Sequence, residues 1–158
     1  MYLKNFTIGE NIALVVREME SDDIPVVASL EKELFTSPWS EKTFYRLLEQ
    51  KDIALNFIGA VDGEIVAYSI AWTIAPELHL ANIAVIESFR RKGIAKIIMK
   101  LLLEIGKSRD CHFMYLEVRR SNTTAIAMYE RFGFLSVGVR KQYYEDNGED
   151  AILMSLTF

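Results

Sequence analysis

Apolar residues recur along this chain with a period of two in some segments and a period near 3.6 in others. The helical period is clearest in the segment Ile94–Lys107. One stripe there is entirely aliphatic: Ile94, Ile97, Ile98, Leu101, Leu102 and Ile105. Lysine and glutamate lie opposite, which predicts an amphipathic helix. Strand-like runs at Leu78–Ile86 and His112–Arg119 flank it, so the pattern predicts a β-α-β unit with a right-handed crossover.

Five further segments have the apolar patterning of strands. They are Ile12–Glu18, Ala54–Val61, Glu64–Ile74, Phe134–Tyr144 and Ala151–Phe158. Asp62-Gly63 and Asn147-Gly148 each separate two of these strands, and such dipeptides are strong signals for tight hairpin turns. The first eleven residues extend beyond these elements and could form an added strand or a contact surface.

Capping residues and apolar spacing indicate three more helices. One follows the acidic cap at residues 21–23, a second starts at Ser40, and a third runs from Asn122 to Phe132 before Gly133. The resulting order, β-α-α-β-β-β-α-β-α-β-β, predicts one α/β domain over residues 1–158. We expect a mixed central sheet of about seven strands flanked by about four helices.

Composition and charge narrow the function classes. The chain has 158 residues, of which 51% are hydrophobic and 25% charged, as in ordinary globular domains. Its net charge of -4 argues against a general nucleic-acid partner, and no apolar run is long enough to span a bilayer. The single cysteine, Cys111, fits a reducing compartment, so we predict a cytoplasmic protein. Cys111 and His112 should point to opposite faces of a strand, so Cys111 is interpreted as a buried apolar residue rather than a nucleophile.

A basic loop, Phe89–Lys96, lies between a predicted strand and the amphipathic helix. Loop amides and the positive end of a helix dipole form a cradle for phosphate groups, and Gly93 lets the backbone approach closely. The glycine patterns of a P-loop and of a dinucleotide-binding loop are both missing. The alternative is a solvated basic loop before a surface helix.

A second group of polar residues follows the helix. Strand alternation places Tyr115, Glu117 and Arg119 on one face, and a carboxylate in such an apolar strand is costly unless it is paired or faces a cleft. Asn122 and Tyr129 are two helical turns apart and share a face. The ordinary alternatives are a salt-bridged Glu117, a helix-capping Asn122 and a packed Tyr129.

These motifs resemble those of the GNAT acyl-CoA N-acyltransferases. Arg90-x-x-Gly93-x-Ala95 is similar to that family's signature Gln/Arg-x-x-Gly-x-Gly/Ala, with Ala95 where many members have glycine. Residues 37–44, 116–130 and 143–151 resemble the RimI-like ribosomal-protein alanine acetyltransferases and their archaeal relatives. The resemblance covers nearly the whole chain and implies the acyl-CoA N-acyltransferase fold.

The resemblance also implies acetyl-CoA as co-substrate, no metal, and a set of site residues. The implied cofactor-binding residues are Ile83, Ala84, Val85, Arg90, Arg91, Lys92, Gly93, Ile94, Ala95, Lys96 and Asn122. Glu117 matches the proposed general base and Tyr129 the proposed general acid. The implied slot for the first residues of a peptide comprises Phe35, Trp39, His79, Tyr143 and Tyr144. His79 with Glu77 is a second candidate base.

The implied activity is acetyl transfer to the N-terminal α-amino group of a protein, with a ribosomal protein as one candidate. An α-amino group has a pKa of about 7.7–8.0, so a single carboxylate is an adequate base, and a tyrosine of pKa about 10 can donate to the departing sulfur. One alternative is the same fold acting on lysine or a small amine. Another is a non-catalytic acyl-CoA-binding module. The oligomeric state is left open.

Overall fold

The computed structural model describes residues 2–158, which form eight strands and four helices. The strands are β1 Leu3–Ile8, β2 Ile12–Glu18, β3 Phe57–Val61, β4 Glu64–Ile74, β5 Glu77–Val85, β6 Phe113–Arg119, β7 Leu135–Arg140 and β8 Ala151–Thr157. The helices are α1 Ile24–Leu34, α2 Glu41–Glu49, α3 Ile94–Ser108 and α4 Thr123–Arg131. Short 3-10 turns cover Ser21–Asp23 and Glu87–Phe89.

The strands form a mixed sheet in the order β1-β2-β3-β4-β5-β6-β8-β7. β5 and β6 are parallel, with Glu77 opposite Phe113 and Leu80 opposite Leu116, whereas β6, β7 and β8 pair antiparallel. The predicted β-α-β unit is therefore confirmed, with α3 as its crossover helix. The expectation of about seven strands and about four helices is also confirmed.

Two compact units divide the chain. The first runs through Trp72 and resumes over Asn82–Leu102, and the second comprises Thr73–Ala81 and Leu103–Phe158. The core of the first unit includes Leu14, Ile24, Phe44, Phe57, Ile58, Tyr68, Ile70, Ile94 and Ile98. The core of the second includes Leu78, Cys111, Met114, Phe134, Ala151 and Met154. The single domain over residues 1–158 stays a prediction.

The N-terminal segment adds a strand, as one of the two sequence interpretations proposed. β1 pairs antiparallel with β2 over its whole length, from Leu3 opposite Arg17 to Ile8 opposite Ile12. Met1 lies outside the described residues. The Asp62-Gly63 hairpin is also confirmed, since both residues have the positive φ that a tight hairpin turn requires, 50° and 80°.

The second predicted hairpin is present, since β7 and β8 pair antiparallel, but its connection is longer than a tight turn. β7 ends at Arg140 and β8 begins at Ala151, so residues 141–150 form a long loop instead of a two-residue turn at Asn147-Gly148. The Asn147 side chain makes a local turn inside this loop, where its oxygen accepts the Glu149 N–H at 2.9 Å. The Tyr144 N–H also donates to the Glu149 carbonyl at 3.1 Å, and the Gly148 N–H donates to the Tyr144 carbonyl at 2.7 Å, so Asn147-Gly148 does lie at the turn of this loop.

The start of α1 depends on a partly buried ion pair. The two terminal guanidinium nitrogens of Arg17 donate to the Asp23 carboxylate at 2.7 Å, and the Glu20 N–H donates to it at 2.8 Å. Burial alone would raise the pKa of Asp23, but the hydrogen bonds from Arg17 and Glu20, with the Arg17 charge, bring that pKa below its usual value. The charged carboxylate therefore stabilises the folded state.

Replacing this carboxylate should destabilise the protein in a pH-dependent way. Because the folded-state pKa of Asp23 is lowered, its contribution is present above the unfolded pKa of about 3.9 and is lost as pH falls through the folded pKa. We expect Asp23→Asn to lower Tm by about 5 °C at pH 7. The difference from the wild type should shrink on acidification below about pH 4. The matched control is Asp22→Asn, which changes an exposed neighbour. Thermal melts that show equal losses for both variants, or a loss independent of pH, would contradict this account.

Candidate active site

The first unit contains the predicted phosphate cradle. The chain leaves β5 through the Glu87–Phe89 turn, and α3 begins at Ile94, directly after Gly93. Gly93 has a φ of +88°, a conformation that favours glycine, and a side chain added there would meet nothing within 4 Å. An α-helix leaves its first amides without a partner inside the helix, and those of α3 come directly after Gly93. This arrangement fits a phosphorylated ligand.

The basic side chains of this loop are not equivalent. Arg90 folds back onto the end of β5, where its Nε donates to the carbonyl oxygen of Val85 at 3.0 Å. That contact links the cradle to the strand segment Ile83–Val85, for which the family resemblance implies binding of the same ligand. Arg91 has a φ of +62°, an uncommon conformation for a residue with a side chain, and is exposed.

Two of the predicted peptide-slot residues lie between α1 and α2 of the first unit. Phe35 ends α1 and Trp39 precedes the Ser40 cap of α2, and both aromatic side chains are half-buried. The Trp39 ring lies 6.0 Å from the ring of Phe44, which is buried in the core. The Trp39 side chain therefore packs against Phe44 on one side while part of its surface remains exposed to solvent.

In the second unit, Glu117 projects from the half-exposed face of β6. Burial alternates along this strand as predicted: Met114, Leu116 and Val118 are buried and the residues between them are not. The carboxylate of Glu117 accepts a hydrogen bond from Arg140 Nε at 2.9 Å and is also hydrogen-bonded to the Tyr143 side chain. That hydrogen bond, with burial and the Glu117 charge, raises the pKa of Tyr143 against the opposing effect of Arg140. Glu117 is thus an anchored carboxylate with part of its surface accessible.

Arg119, two residues further along β6, holds the loop that carries both tyrosines. Its guanidinium lies 3.8 Å from the centre of the Tyr144 ring and forms a bidentate pair with Asp146 at 2.9 and 3.1 Å. Glu149 lies 3.6 Å from the same guanidinium, and its other oxygen accepts the Ser121 N–H at 2.6 Å. The hydrogen bonds from Ser121 are the main reason that the pKa of Glu149 is lowered. These contacts place Tyr143 and Tyr144 beside β6.

Tyr129 is buried in α4, with 5% of its surface exposed, and its ring lies 5.7 Å from that of Phe134. Burial, and to a lesser extent Tyr144, raise the pKa of Tyr129 to about 12. The hydroxyl therefore stays protonated at every physiological pH and can serve as a hydrogen-bond donor. Asn122 caps the same helix, where its side-chain oxygen accepts the Ala125 N–H at 3.2 Å.

His79 and Glu77, the alternative candidates for the general base, are also in contact. His79 Nε2 lies 2.7 Å from Glu77 Oε2, and the His79 ring lies 5.6 Å from that of Tyr115. Tyr115 shares the half-exposed face of β6 with Glu117. Cys111, by contrast, is buried, and burial raises the pKa of its thiol, so it lacks the features of a reactive nucleophile.

Sequence reasoning missed Arg140 as the partner of Glu117 and Arg119 as the organiser of the tyrosine loop. Arg119 could have been suspected, because its strand position places it on the same face as Glu117. Arg140 had no such signal, since it lies far from Glu117 in the chain. Within residues 2–158, no group of three or more His, Cys, Asp or Glu side chains is arranged to hold a metal ion. No helix in that range is long and apolar enough to cross a membrane.

Comparison with known proteins decides the family. Residues 24–134 match the Acetyltransferase (GNAT) family. The chain belongs to the GNAT family. It is 36% identical over 143 residues to the [ribosomal protein bS18]-alanine N-acetyltransferase of Escherichia coli, which covers 89% of this chain and 95% of that relative. It is 35% identical over 153 residues to an N-alpha-acetyltransferase of Saccharolobus solfataricus, covering 89% and 90% of the two chains.

The solved structures agree with this assignment. The crystal structure of the ribosomal-protein-S18-alanine N-acetyltransferase from Escherichia coli superposes with a TM-score of 0.83 at 35% identity, covering 91% of this chain and 93% of that one. The predicted resemblance to RimI-like and archaeal enzymes is therefore confirmed, and the protein is an N-acetyltransferase with the GNAT fold.

The Arg119 contacts of this GNAT protein can be tested by hydrogen exchange. We expect Arg119→Gln to release the loop at residues 141–150, because the bidentate pair with Asp146 and the contact with the Tyr144 ring are lost. The Tyr144 amide, which donates to the Glu149 carbonyl at 3.1 Å, should exchange at least several-fold faster. Lys141→Gln is the matched control, since Lys141 is exposed on the same loop. Unchanged protection of Tyr144 in Arg119→Gln would show that the loop is held by other contacts.

Proposed function

We propose that this protein transfers the acetyl group of acetyl-CoA to the N-terminal α-amino group of a protein, with a ribosomal protein as the leading candidate. The observation that carries the proposal is Glu117, a partly accessible carboxylate held beside two loop tyrosines in a chain 36% identical to a ribosomal-protein alanine acetyltransferase. The archaeal relative, an N-alpha-acetyltransferase, supports the same acceptor class. We further propose that the protein acts in the cytoplasm, where such substrates are made.

Acetyl-CoA fits the cradle of the first unit. Its diphosphate would be held by the amides of Arg91–Lys96 at the start of α3, where the helix dipole favours negative charge. Backbone groups of Ile83, Ala84 and Val85 are proposed to pair with the pantetheine arm, and Asn122 to contribute its side-chain nitrogen. The Asn122 oxygen is already engaged in capping α4.

Glu117 is proposed as the base that takes the proton from the attacking amine, directly or through a water. An α-amino group has a pKa of about 7.7–8.0, so a substantial neutral fraction exists near neutral pH and the base acts mainly as nitrogen–carbon bond formation makes the amine acidic. Tyr143 and Arg140 fix the orientation of the carboxylate through their hydrogen bonds. His79 with Glu77 remains the alternative base.

Tyr129 is proposed to donate a hydrogen bond to the departing sulfur. Its pKa of about 12 lies well above the ordinary thiol value of about 8.5. A full proton transfer to a thiolate would therefore be unfavourable, whereas a hydrogen bond that strengthens as charge grows on sulfur is favourable. The peptide slot is proposed to include Phe35, Trp39, His79, Tyr143 and Tyr144.

The acceptor can be tested with a peptide panel. We expect acetyl transfer from acetyl-CoA to peptides with a free N-terminus, with rates that depend on the first two residues. N-terminally blocked peptides that contain lysine, and free polyamines, should be poor acceptors. Mass spectrometry locates the acetyl group. Acetylation confined to lysine or to small amines would overturn the N-terminal assignment, and binding of acetyl-CoA without any transfer would indicate a non-catalytic module.

The role of Tyr129 can be tested separately. Tyr129→Phe should keep the packing against Phe134 but lose the hydroxyl donor, so we expect kcat to fall about a hundredfold with acetyl-CoA affinity unchanged. Tyr45→Phe, which alters an exposed tyrosine of α2, is the control and should retain full activity. Stopped-flow or coupled assays give kcat, and calorimetry gives the acetyl-CoA Kd. Turnover unchanged in Tyr129→Phe would remove this residue from the mechanism.

A further inference from the structure

Glu31 of α1 is a carboxylate that none of the roles above employs. It is one of the most deeply buried polar residues of the first unit, with 1% of its surface exposed. Among residues 2–158, the ion pairs formed by lysine and arginine do not include it. A buried carboxylate without a cation is costly, and an apolar residue of similar size would often serve stability as well. Its presence therefore points to a geometric purpose.

Three hydrogen-bond donors from different parts of the first unit converge on this carboxylate. Oε1 accepts the backbone N–H of Trp39 at 3.2 Å. Oε2 accepts the side-chain amide of Asn82 at 2.9 Å and the hydroxyl of Tyr68. Burial, the hydrogen bond to Glu31 and the Glu31 charge all raise the pKa of Tyr68, so its hydroxyl remains a donor.

The donors connect three elements. Trp39 belongs to the loop between α1 and α2, Tyr68 lies in β4, and Asn82 lies in β5 immediately before Ile83–Val85. The backbone of Glu31 adds a fourth bond to this network, since its carbonyl accepts the Phe35 N–H at 3.0 Å. Glu31 thus holds both ends of the aromatic loop and ties that loop to the strand that continues into the proposed pantetheine contacts.

Aromatic packing closes the same network on a second side. The Trp39 ring lies 6.0 Å from Phe44, and Phe44 meets Tyr68 edge-on at 6.3 Å. The chain of contacts runs from Glu31 through Trp39, Phe44 and Tyr68 back to Glu31. Apolar contacts are not directional, so they would allow the loop at residues 35–40 to shift. The hydrogen bond from the Trp39 N–H to the Glu31 carboxylate is directional and fixes the loop relative to β5.

We propose that Glu31 is a positioning residue for the acceptor peptide, which fixes the loop at residues 35–40, and with it Trp39, relative to β5. The inference rests on the proposed function, because it assigns Trp39 to the peptide slot. Glu31 itself contacts neither the reacting amine nor the thioester. Its loss should weaken acceptor binding while the affinity for acetyl-CoA is kept.

Glu31→Gln is the most informative variant because it preserves shape. A glutamine whose oxygen faces the Trp39 N–H presents its NH₂ group to Asn82, and two donors then face each other. The reverse orientation sets the NH₂ group against the Trp39 N–H. The first orientation is satisfied only if the Asn82 amide flips and the Tyr68 hydroxyl accepts instead of donating, so the network must rearrange in either case. Glu33→Gln is the matched control, since Glu33 is an exposed acid of the same helix.

Two measurements separate positioning from a general loss of structure. For a peptide acceptor, we expect Glu31→Gln to raise KM about tenfold or more, with the acetyl-CoA Kd within about twofold of the wild type. In a Trp72→Phe background Trp39 is the one tryptophan left, and Glu31→Gln should make its fluorescence more readily quenched by acrylamide. Glu33→Gln should change neither quantity.

The outcomes distinguish this proposal from the proposed function. An unchanged peptide KM and unchanged Trp39 quenching in folded Glu31→Gln overturn the positioning role, as does an equal loss of affinity for both substrates. If Glu31→Gln does not fold, Tyr68→Phe removes a single donor and must shift both quantities in the same direction. Failure of both variants to fold makes Glu31 a structural residue and refutes the proposal. If the wild type acetylates no peptide, the proposed function fails, while the quenching comparison still decides whether Glu31 holds Trp39.

Discussion

A carboxylate that is partly or fully withdrawn from water must be supplied with hydrogen-bond donors, and that constraint organises the loops of this protein. Asp23 accepts hydrogen bonds from Arg17 and from the Glu20 N–H at the start of α1. Glu31 accepts hydrogen bonds from the loop between α1 and α2 and from strands β4 and β5. In the second unit, Glu149 accepts the Ser121 amide and lies beside Arg119. Each acid joins the segments that supply its donors, because leaving a buried donor or acceptor without a partner would cost free energy.

The elements that carry the site follow from periodicity and could be predicted from the sequence. The aliphatic stripe of α3 and the alternation of β6 involve neighbours in the chain, so residue spacing alone reveals which face is buried. The special backbone conformation of Gly93 was also predictable from local sequence, since glycine directly before a helix allows the chain to turn sharply. These features place Glu117 on an open strand face and a helix N-terminus behind a glycine.

The loops could not be predicted in this way. Glu31 meets Tyr68 across 37 residues and Asn82 across 51, and Arg119 meets Asp146 across 27. No local pattern encodes contacts at such separations. The Asn147-Gly148 signal located the turn but not the length of the connection, because the signal describes a turn of four residues and the loop around it also contacts distant partners.

The structural roles that the sequence analysis gave as alternatives for Glu117, Asn122 and Tyr129 are all present, and they are compatible with the proposed functional roles. Glu117 is paired, Asn122 caps its helix and Tyr129 is packed. Packing is what raises the pKa of Tyr129, and its hydroxyl, which is protonated near neutral pH even at the ordinary tyrosine pKa, remains a donor. In the same way, the partners of Glu117 orient the carboxylate without covering it. A residue can thus be fixed by the fold and be available for chemistry, because the atoms used for each purpose differ.

The character of the base bears on which amine can be acetylated. A carboxylate is a much weaker base than an amine, so a carboxylate base, the role proposed for Glu117, acts on an amine that is already neutral. Near pH 7 an α-amino group of pKa about 8 is neutral roughly 10% of the time, while a lysine of pKa about 10.4 is neutral less than about 0.1% of the time. That difference of about two orders of magnitude in reactive amine favours N-termini before any contact with the peptide is made. The aromatic loop positioned through Glu31 would then select among N-termini, so different parts of the molecule would decide the class of amine and the identity of the peptide.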